Sequence, residues 1–307
     1  MNKMNSIMEN KEKEVVFIMN PTSGKEESDE YKELIESTFS SFFNKVTIRM
    51  TESAEDAAKF AEDACRDKVD SVFAVGGDGT VNLVISGLAE NEYIPKFGII
   101  PTGTVNNLAR ILDVPMNPKR AIEMFNPDYV KAIDIGKVNE KYFAYSLSIG
   151  DVSEVIHDVS SEEKAKLGAM AYFKEIAKIL PNMKLHNLVL DIDGRKIEEE
   201  ISNIAVLTTN RFFNLRFSEC VSNGDGKLSL MLFKEAGLLE GIEMSAKAIA
   251  GKLEESDIVD HYRTEKFTVE GDSSIEYDID GEKGGYLPLE VSILKNHINA
   301  YYYETLL

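Results

Sequence analysis

The chain has 307 residues, of which 43% are hydrophobic and 28% charged, and 34 Lys and Arg against 53 Asp and Glu give a formal charge of −19. This composition excludes collagen-like, low-complexity and fully disordered chains, and no apolar run reaches the roughly 18 residues that a membrane-spanning helix needs. The strong negative charge disfavours nucleic acid as a partner, because nucleic-acid binding needs a basic face.

The first part of the chain alternates between strand and helix patterns. Its N-terminus is polar and lacks the apolar core of a secretion signal, so we expect a cytoplasmic protein. Helical patterns lie between short apolar runs that predict buried strands, at residues 15–19, 46–50, 71–75 and 97–100. The predicted helices cover 29–39, a stretch capped by Ser53, and 81–88. This order is typical of βαβ units, so we predict an α/β domain with a mostly parallel sheet over residues 1–134.

The pattern changes after residue 134. Strand-like runs follow at residues 142–149, 188–192, 197–207, 228–233, 267–269 and 289–294. Hairpin turns are predicted at Asp193-Gly194 and Asp280-Gly281. We therefore predict an antiparallel β-sandwich domain over residues 135–295, whereas the pattern does not place residues 298–307.

One clear helix is predicted in this second half, at residues 162–180. Its apolar residues form one stripe, and its lysines outnumber its glutamates. The pattern favours packing of this stripe against the sheet. Contact with a membrane surface is the alternative.

Three loops rich in glycine and hydroxyl groups follow the first, third and fourth predicted strands, at residues 20–25, 76–80 and 101–107. Ligands of an open parallel sheet bind beyond the carboxyl ends of its strands, and a helix N-terminus attracts anions. The loops therefore predict a nucleotide phosphate site, although they match neither a Walker A motif nor a Rossmann fingerprint. Asp78 fits an anion-binding loop only if it binds a cation or orients another group; the alternative is an ordinary cap of a tight turn.

At these residues the sequence resembles the soluble lipid kinases that share the diacylglycerol kinase catalytic domain, including bacterial diacylglycerol kinases and relatives of the sphingosine kinases. The resemblance rests on NPTSGK at 20–25, GGDGTVN at 76–82, PTGTVNNLAR at 101–110, LGAMAYF at 167–173, NGDGKL at 223–228 and DGE at 280–282. NAD kinases share the GGDGT motif alone. The resemblance implies an NAD-kinase-like nucleotide domain, a β-sandwich lipid domain, and a chain end (296–307) that returns to the first domain.

The resemblance also implies the site residues. The implied ATP contacts are Asn20, Pro21, Thr22, Ser23, Gly24, Thr51, Gly77, Asp78, Gly79, Thr80, Val81, Asn82, Leu83 and Thr104. Glu282 would be the general base that accepts the proton of a lipid hydroxyl, and Asp78 and Asn106 would contribute to catalysis. Without the resemblance, Asp280-Gly281-Glu282 would be taken as an ordinary hairpin turn.

A structural Mg²⁺ site is implied at Asp225, with the carbonyl oxygens of Ser222 and Lys227, since oxygen ligands suit this cation. An exposed turn is the alternative there. The chain departs from the family pattern at Asn107, where an aspartate is usual; an asparagine keeps the hydrogen-bonding shape and loses the charge.

The predicted function is therefore that of an ATP-dependent and Mg²⁺-dependent lipid kinase, with diacylglycerol as the default substrate and phosphatidic acid as the product. The alternatives are an NAD kinase, or a catalytically weak relative that binds nucleotide or lipid. We expect a membrane lipid as substrate, transient peripheral contact with the inner membrane face, and no nucleic-acid partner. The sequence is compatible with a homodimer but does not indicate one.

Overall fold

The computed structural model describes residues 13–21, 28–150, 178–212, 215–218 and 224–304. The helices of the described residues are α1 (Ser28–Phe39), α2 (Ala54–Arg66), α3 (Asp78–Ala89), α4 (Asn107–Ile111), α5 (Pro118–Glu123) and α6 (Leu238–Ile249). The strands are β1 (Glu14–Met19), β2 (Lys45–Met50), β3 (Ser71–Gly76), β4 (Lys96–Pro101), β5 (Val130–Val138), β6 (Lys141–Phe143), β7 (Ser146–Gly150), β8 (His186–Ile192), β9 (Arg195–Ile201), β10 (Asn203–Leu207), β11 (Arg211–Phe212), β12 (Leu215–Arg216), β13 (Leu228–Phe233), β14 (Val259–Thr264), β15 (Lys266–Glu270), β16 (Glu276–Ile279), β17 (Glu282–Tyr286) and β18 (Leu289–Tyr301).

The N-terminal half is an α/β unit built on a parallel sheet, as predicted. Its strands pair in the order β2-β1-β3-β4, all parallel. Every residue of β3 is buried, which explains why the sequence shows a continuous apolar run there. Phe39 packs against Phe17, Phe73 and Phe125 with ring centroids 4.4–5.1 Å apart, so an aromatic core ties α1 to the sheet.

The second half is the predicted antiparallel sandwich. One layer contains β18, β15, β8 and β9 in that order, and the facing six-stranded sheet has the order β14-β13-β10-β7-β16-β17. Between the layers lies an apolar core in which Leu190 and Val269 of one sheet and Ile204 and Leu230 of the other are fully buried. Alternate residues of β13, Leu228, Leu230 and Leu232, belong to this core, as expected for packed sheets.

Strand β18 joins the two halves. It pairs with β15 and β5 in antiparallel orientation. Near its end it also pairs with β4 in parallel orientation, where Ala300 lies opposite Phe97. The Tyr301 hydroxyl lies 2.8 Å from the Ser71 hydroxyl inside the N-terminal core. The predicted strand at 289–294 is therefore too short. A register shift after Leu294 interrupts the apolar pattern, although the strand continues.

Two predicted strands are divided, and three helices of the described residues were missed, α4, α5 and α6. The run at 142–149 breaks between β6 and β7, because the N–H groups of residues 144–146 donate to the Asp280 side chain and not to a neighbouring strand. The run at 197–207 breaks at Ser202, where the chain passes from one sheet to the other. Helix α6 was not predicted, since its exposed face is also apolar. The predicted helix at 162–180 lies almost entirely outside the described residues. Across the described residues, no helix has the length and apolar character needed to cross a membrane.

Candidate active site

The described residues that directly follow β1 to β4 lie at one edge of the parallel sheet. The Asn20 N–H donates to Val75 O, the Thr51 N–H to Met19 O and the Thr102 N–H to Gly76 O, each at 3.0 Å. The Asn20 side chain also lies within 3.4 Å of the Thr80 hydroxyl. Each loop is thus bonded to a neighbouring strand or loop, and Thr22, Ser23 and Gly24 of the first loop lie outside the described residues.

The second and third predicted phosphate loops, at residues 76–80 and 101–107, touch through their backbones. A Cβ atom added to Gly103 would lie 2.5 Å from the Gly77 Cα, and one added to Gly77 would lie 3.2 Å from the Gly103 Cα. Helix α3 begins directly after Gly77, so its first N–H groups point towards this contact. A helix N-terminus next to two glycine-lined backbones is suited to binding phosphate oxygens.

Asp78 orients the third loop. Its carboxylate accepts hydrogen bonds from the Asn106 N–H at 2.8 Å and the Asn107 N–H at 2.7 Å, at the start of α4. Burial raises the pKa of Asp78, while these backbone donors oppose the shift. Of the two functional roles that the sequence left open for Asp78, these contacts favour the orientation of another group.

Asn106 closes its own loop. It has the left-handed backbone conformation (φ 55°) that asparagine tolerates better than most residues. Its side-chain amide accepts from the Gly103 N–H at 3.1 Å and donates to Gly103 O at 2.7 Å. Both polar atoms of the side chain therefore hold the turn, and the catalytic role of Asn106 stays a prediction.

The other predicted ATP contacts differ in what they expose to a ligand. Thr104 is exposed at the third loop and Pro21 is half-buried after β1, whereas Thr51, Thr80 and Val81 are buried. Leu83 packs against the N-terminal core. Val81 could therefore contact a nucleotide only through its backbone atoms.

Glu282 brings a carboxylate from the second half of the chain to these loops. It is the first residue of β17, directly after the turn Asp280-Gly281, and it is exposed. Its Oε1 atom lies 3.8 Å from the position that a Cβ atom on Gly79 would occupy. The structure thus places the predicted base beside the predicted phosphate loop at the N-terminus of α3.

Asp280 is a further buried carboxylate at this site, and sequence reasoning missed it. Its oxygens accept from the N–H groups of Ala144 (2.7 Å), Tyr145 (3.0 Å) and Ser146 (2.9 Å), and from the Asn82 amide (2.7 Å). No local signal could have found these contacts, since an Asp-Gly hairpin turn has the same sequence pattern whether its aspartate is buried or exposed.

Burial raises the pKa of Asp280 to about 6, although its four N–H donors favour the charged form. Because the ordinary value is 3.8, ionised Asp280 destabilises the fold above pH 6, and this cost falls as the pH is lowered. We expect the unfolding free energy of the wild type, relative to Asp280→Asn, to rise by about 2 kcal/mol from pH 7 to pH 4.5. Urea unfolding of both proteins at the two pH values measures this, and a constant difference would contradict it.

The predicted Mg²⁺ site at Asp225 is occupied by protein donors. Both carboxylate oxygens contact the Arg263 guanidinium, one of them at 2.7 Å, and the Lys227 N–H donates to the carboxylate at 3.0 Å. Ser222 lies outside the described residues. Within the described ranges, no group of three or more His, Cys, Asp or Glu residues is arranged to hold a metal ion. These residues do not fit a cation while Arg263 keeps this position, and the site stays a prediction.

Comparison with known proteins gives one consistent family. Residues 14–138 match the family model of the diacylglycerol kinase catalytic domain. A Streptococcus pneumoniae protein described as a lipid kinase is 35% identical, over 94% of this chain and 98% of that protein. A Bacillus subtilis diacylglycerol kinase is 32% identical, over 92% of this chain and 94% of the other. The crystal structure of a Bacillus anthracis diacylglycerol kinase superposes with a TM-score of 0.79 at 27% identity, covering 97% of this chain and 99% of that one.

Proposed function

Since the chain belongs to the family of the diacylglycerol kinase catalytic domain and is therefore a phosphotransferase with an alcohol group as acceptor, we propose that it phosphorylates diacylglycerol to phosphatidic acid with ATP. The observation that supports this most is the position of Glu282 beside Gly79. An acceptor hydroxyl at Glu282 would lie next to the phosphate loop. The similarities with lipid kinases do not favour the alternative of an NAD kinase.

We place the ATP phosphates at the contact between the loops that follow β3 and β4. Backbone N–H groups at the N-terminus of α3 and the exposed Thr104 would bind phosphate oxygens. The net charge of the whole chain is −19, so attraction for the phosphates has to come from local donors such as these. Mg²⁺ would enter as part of the ATP complex and neutralise charge on the phosphates.

In the reaction, Glu282 would accept the proton of the acceptor hydroxyl. The lipid oxygen would then form a bond to the γ-phosphorus while the bond to the ADP oxygen breaks, and the proton would stay on the Glu282 carboxyl group. Glu282 is exposed, so its carboxylate can reach a substrate without breaking a buried contact. General base catalysis of this kind contributes typically 10²–10⁴-fold.

The two halves divide this work. We propose that residues 1–134, with the returning residues 296–307, hold the nucleotide and that residues 135–295 hold the lipid. The apolar core of the first unit contains Ile298, Ala300 and Tyr301 together with the parallel strands, which supports the inclusion of the chain end. Glu282 then belongs to the lipid unit and faces the nucleotide unit.

Helix α6 offers a surface for peripheral contact with a lipid bilayer. Four of its residues are large, apolar and exposed: Leu238 (51%), Leu239 (77%), Ile242 (53%) and Ile249 (40%). The opposite side of α6 packs in an apolar cluster that reaches Val105, between Thr104 and Asn106 of the third loop. The buried side of α6 is therefore packed, through this cluster, onto the third loop, and we propose the bilayer surface as the partner of its exposed face.

The double substitution Leu239→Asn and Ile242→Asn is expected to weaken binding to phosphatidylcholine vesicles containing diacylglycerol at least about tenfold, because burial of each side chain contributes about 1.5–3 kcal/mol. Co-sedimentation with the vesicles measures this. Tyr286→Asn removes an exposed apolar side chain elsewhere and should keep vesicle binding. An alternative result is that the wild type is a dimer in sedimentation velocity, that the double substitution dissociates it, and that vesicle binding is unchanged. This result would show that the exposed face of α6 binds a second copy of the chain.

The substrate is tested by incubating the protein with labelled ATP, Mg²⁺ and a total lipid extract in detergent micelles. We expect one labelled lipid product, identified by mass spectrometry as phosphatidic acid. A different phosphorylated lipid would contradict diacylglycerol as the substrate. Formation of NADP in a parallel assay with NAD, without any labelled lipid, would contradict the proposed activity as a whole.

A further inference from the structure

The turn that carries Glu282 is held to α3 and to the loop after β4 by a hydrogen-bond network around Asp280. We propose that Asp280 is a positioning residue, which fixes the turn so that Glu282 stays beside Gly79. This inference rests on the proposed function, because it assigns Asp280 a role in the reaction only through Glu282.

The turn itself is a two-residue hairpin connection. Asp280 (φ 51°) and Gly281 (φ 87°) both have positive φ angles, and Ile279 pairs with Glu282 across the turn. These are features of a type I′ turn, for which Asp-Gly is a preferred sequence. Glu282 follows Asp280 by two residues, so any displacement of Asp280 is passed to the Glu282 backbone.

Asp280 is anchored on two sides. Three consecutive N–H groups, of the two residues between β6 and β7 and of the first residue of β7, donate to its carboxylate, and the fourth donor is Asn82, one helical turn after Asp78 on α3. Since α3 begins at the phosphate loop, the Asn82 contact ties the turn to the same helix whose N-terminus lies beside Glu282. The residue Asp280 is 5% exposed, so water does not compete strongly for these donors.

A second connection runs through Tyr145. Its hydroxyl donates to Asp280 O at 3.0 Å and accepts from the Asn107 side-chain amide at 3.0 Å. The Asn107 N–H in turn donates to Asp78. An uncharged amide at position 107 suits this direction of donation, because an ionised aspartate there would compete with Asp280 O for the Tyr145 proton.

A second turn in the same chain shows that turn geometry alone does not require this burial. Asp193 (φ 52°) and Gly194 (φ 87°) connect β8 and β9 with the same two-residue geometry, and Asp193 is exposed. Burial of a carboxylate is costly, so Asp280 carries a penalty that Asp193 avoids. The donors around Asp280 are what distinguish the turn next to the site from the turn remote from it.

A double-mutant cycle tests the proposal. Kinetic constants would be measured for wild type, Asp280→Asn, Glu282→Gln and the double variant, with Asp193→Asn as the matched control in the other turn. We expect Asp280→Asn to lower kcat about 100-fold, the loss typical of a displacement of about 1 Å, with KM for ATP unchanged. In the Glu282→Gln background the same change should cause no further loss, and Asp193→Asn should match the wild type.

The outcomes separate this proposal from the proposed function. Full activity of Glu282→Gln would refute Glu282 as the base. A different result is that Glu282→Gln loses activity and that Asp280→Asn lowers kcat by the same factor in the wild type and in Glu282→Gln. That result would show that Asp280 acts independently of Glu282, and would overturn the positioning role. If thermal unfolding shows that Asp280→Asn is unfolded, Tyr145→Phe replaces it in the same cycle, because it removes one hydroxyl and keeps the ring; equal kcat for Tyr145→Phe and wild type would then overturn the proposal.

Discussion

Replacing Glu282 with glutamine is expected to lower kcat for lipid phosphorylation by about 10²–10⁴-fold. Glutamine keeps the size and the hydrogen-bonding reach of the side chain but cannot accept the proton of the acceptor hydroxyl. Because Glu282 is exposed and does not lie in the apolar core, the protein should fold as the wild type does. Initial rates with labelled ATP and diacylglycerol micelles, together with thermal unfolding, measure both expectations.

Glu276 provides the matched control for this change. It lies on β16 of the same hairpin, and its carboxylate pairs with Lys283 instead of facing the phosphate loops. Glu276→Gln should therefore keep kcat near the wild-type value, since an exposed ion pair contributes little to stability. Equal rate losses in the two variants would indicate that charge on the hairpin matters, and that proton transfer to Glu282 is not the cause.

The substitution Gly103→Ala is expected to damage the nucleotide site most severely. Its Cβ atom would lie 2.5 Å from the Gly77 Cα and 2.8 Å from the Asn106 side chain, so two loop backbones would have to separate. Overpacking of this kind costs about 1–3 kcal/mol, and separation of the loops should raise the Kd for ATP. Isothermal titration with an ATP analogue and urea unfolding measure the two effects.

Gly237→Ala is a suitable comparison for Gly103→Ala. The added Cβ atom at Gly237 would meet chiefly the carboxylate of Glu240, which is the flexible end of a side chain. We therefore expect wild-type affinity for the ATP analogue in this variant. If Gly103→Ala also bound the analogue with wild-type affinity, the phosphates would not depend on the contact between the second and third loops.

The sequence predicted the location of the loops well, for a physical reason. A buried parallel strand needs an unbroken apolar run, so β1, β3 and β4 are visible in the sequence together with the loops that follow them. Parallel strands then bring the ends of those runs to one edge. The pairing of β3 with β4, which the structure shows, then brings Gly77 and Gly103 into contact.

The role of Glu282 as the predicted base came from the resemblance to lipid kinases, because the local sequence pattern indicates only a hairpin turn. The hairpin at 280–281 was predicted correctly from its two residues, but nothing in the turn indicates which surface it faces. Helix α6 was missed for a different reason. The sequence does not distinguish an apolar residue on an exposed helix face from an apolar residue in a core. The boundary of α6 required knowledge of which side of the helix packs against the rest of the chain.

By itself, the sequence determined the strand and helix alternation as far as β4, the two hairpin turns at 193–194 and 280–281, and the position of the three loops, because each depends on residues that are close together in the chain. Only the tertiary structure decided which carboxylates are buried and what they bond. Asp280 meets donors that lie 134 to 136 residues earlier and an amide 198 residues earlier, whereas Asp193 remains exposed in an identical turn. Burial and partner choice depend on how the two halves pack, and no short stretch of sequence contains that information.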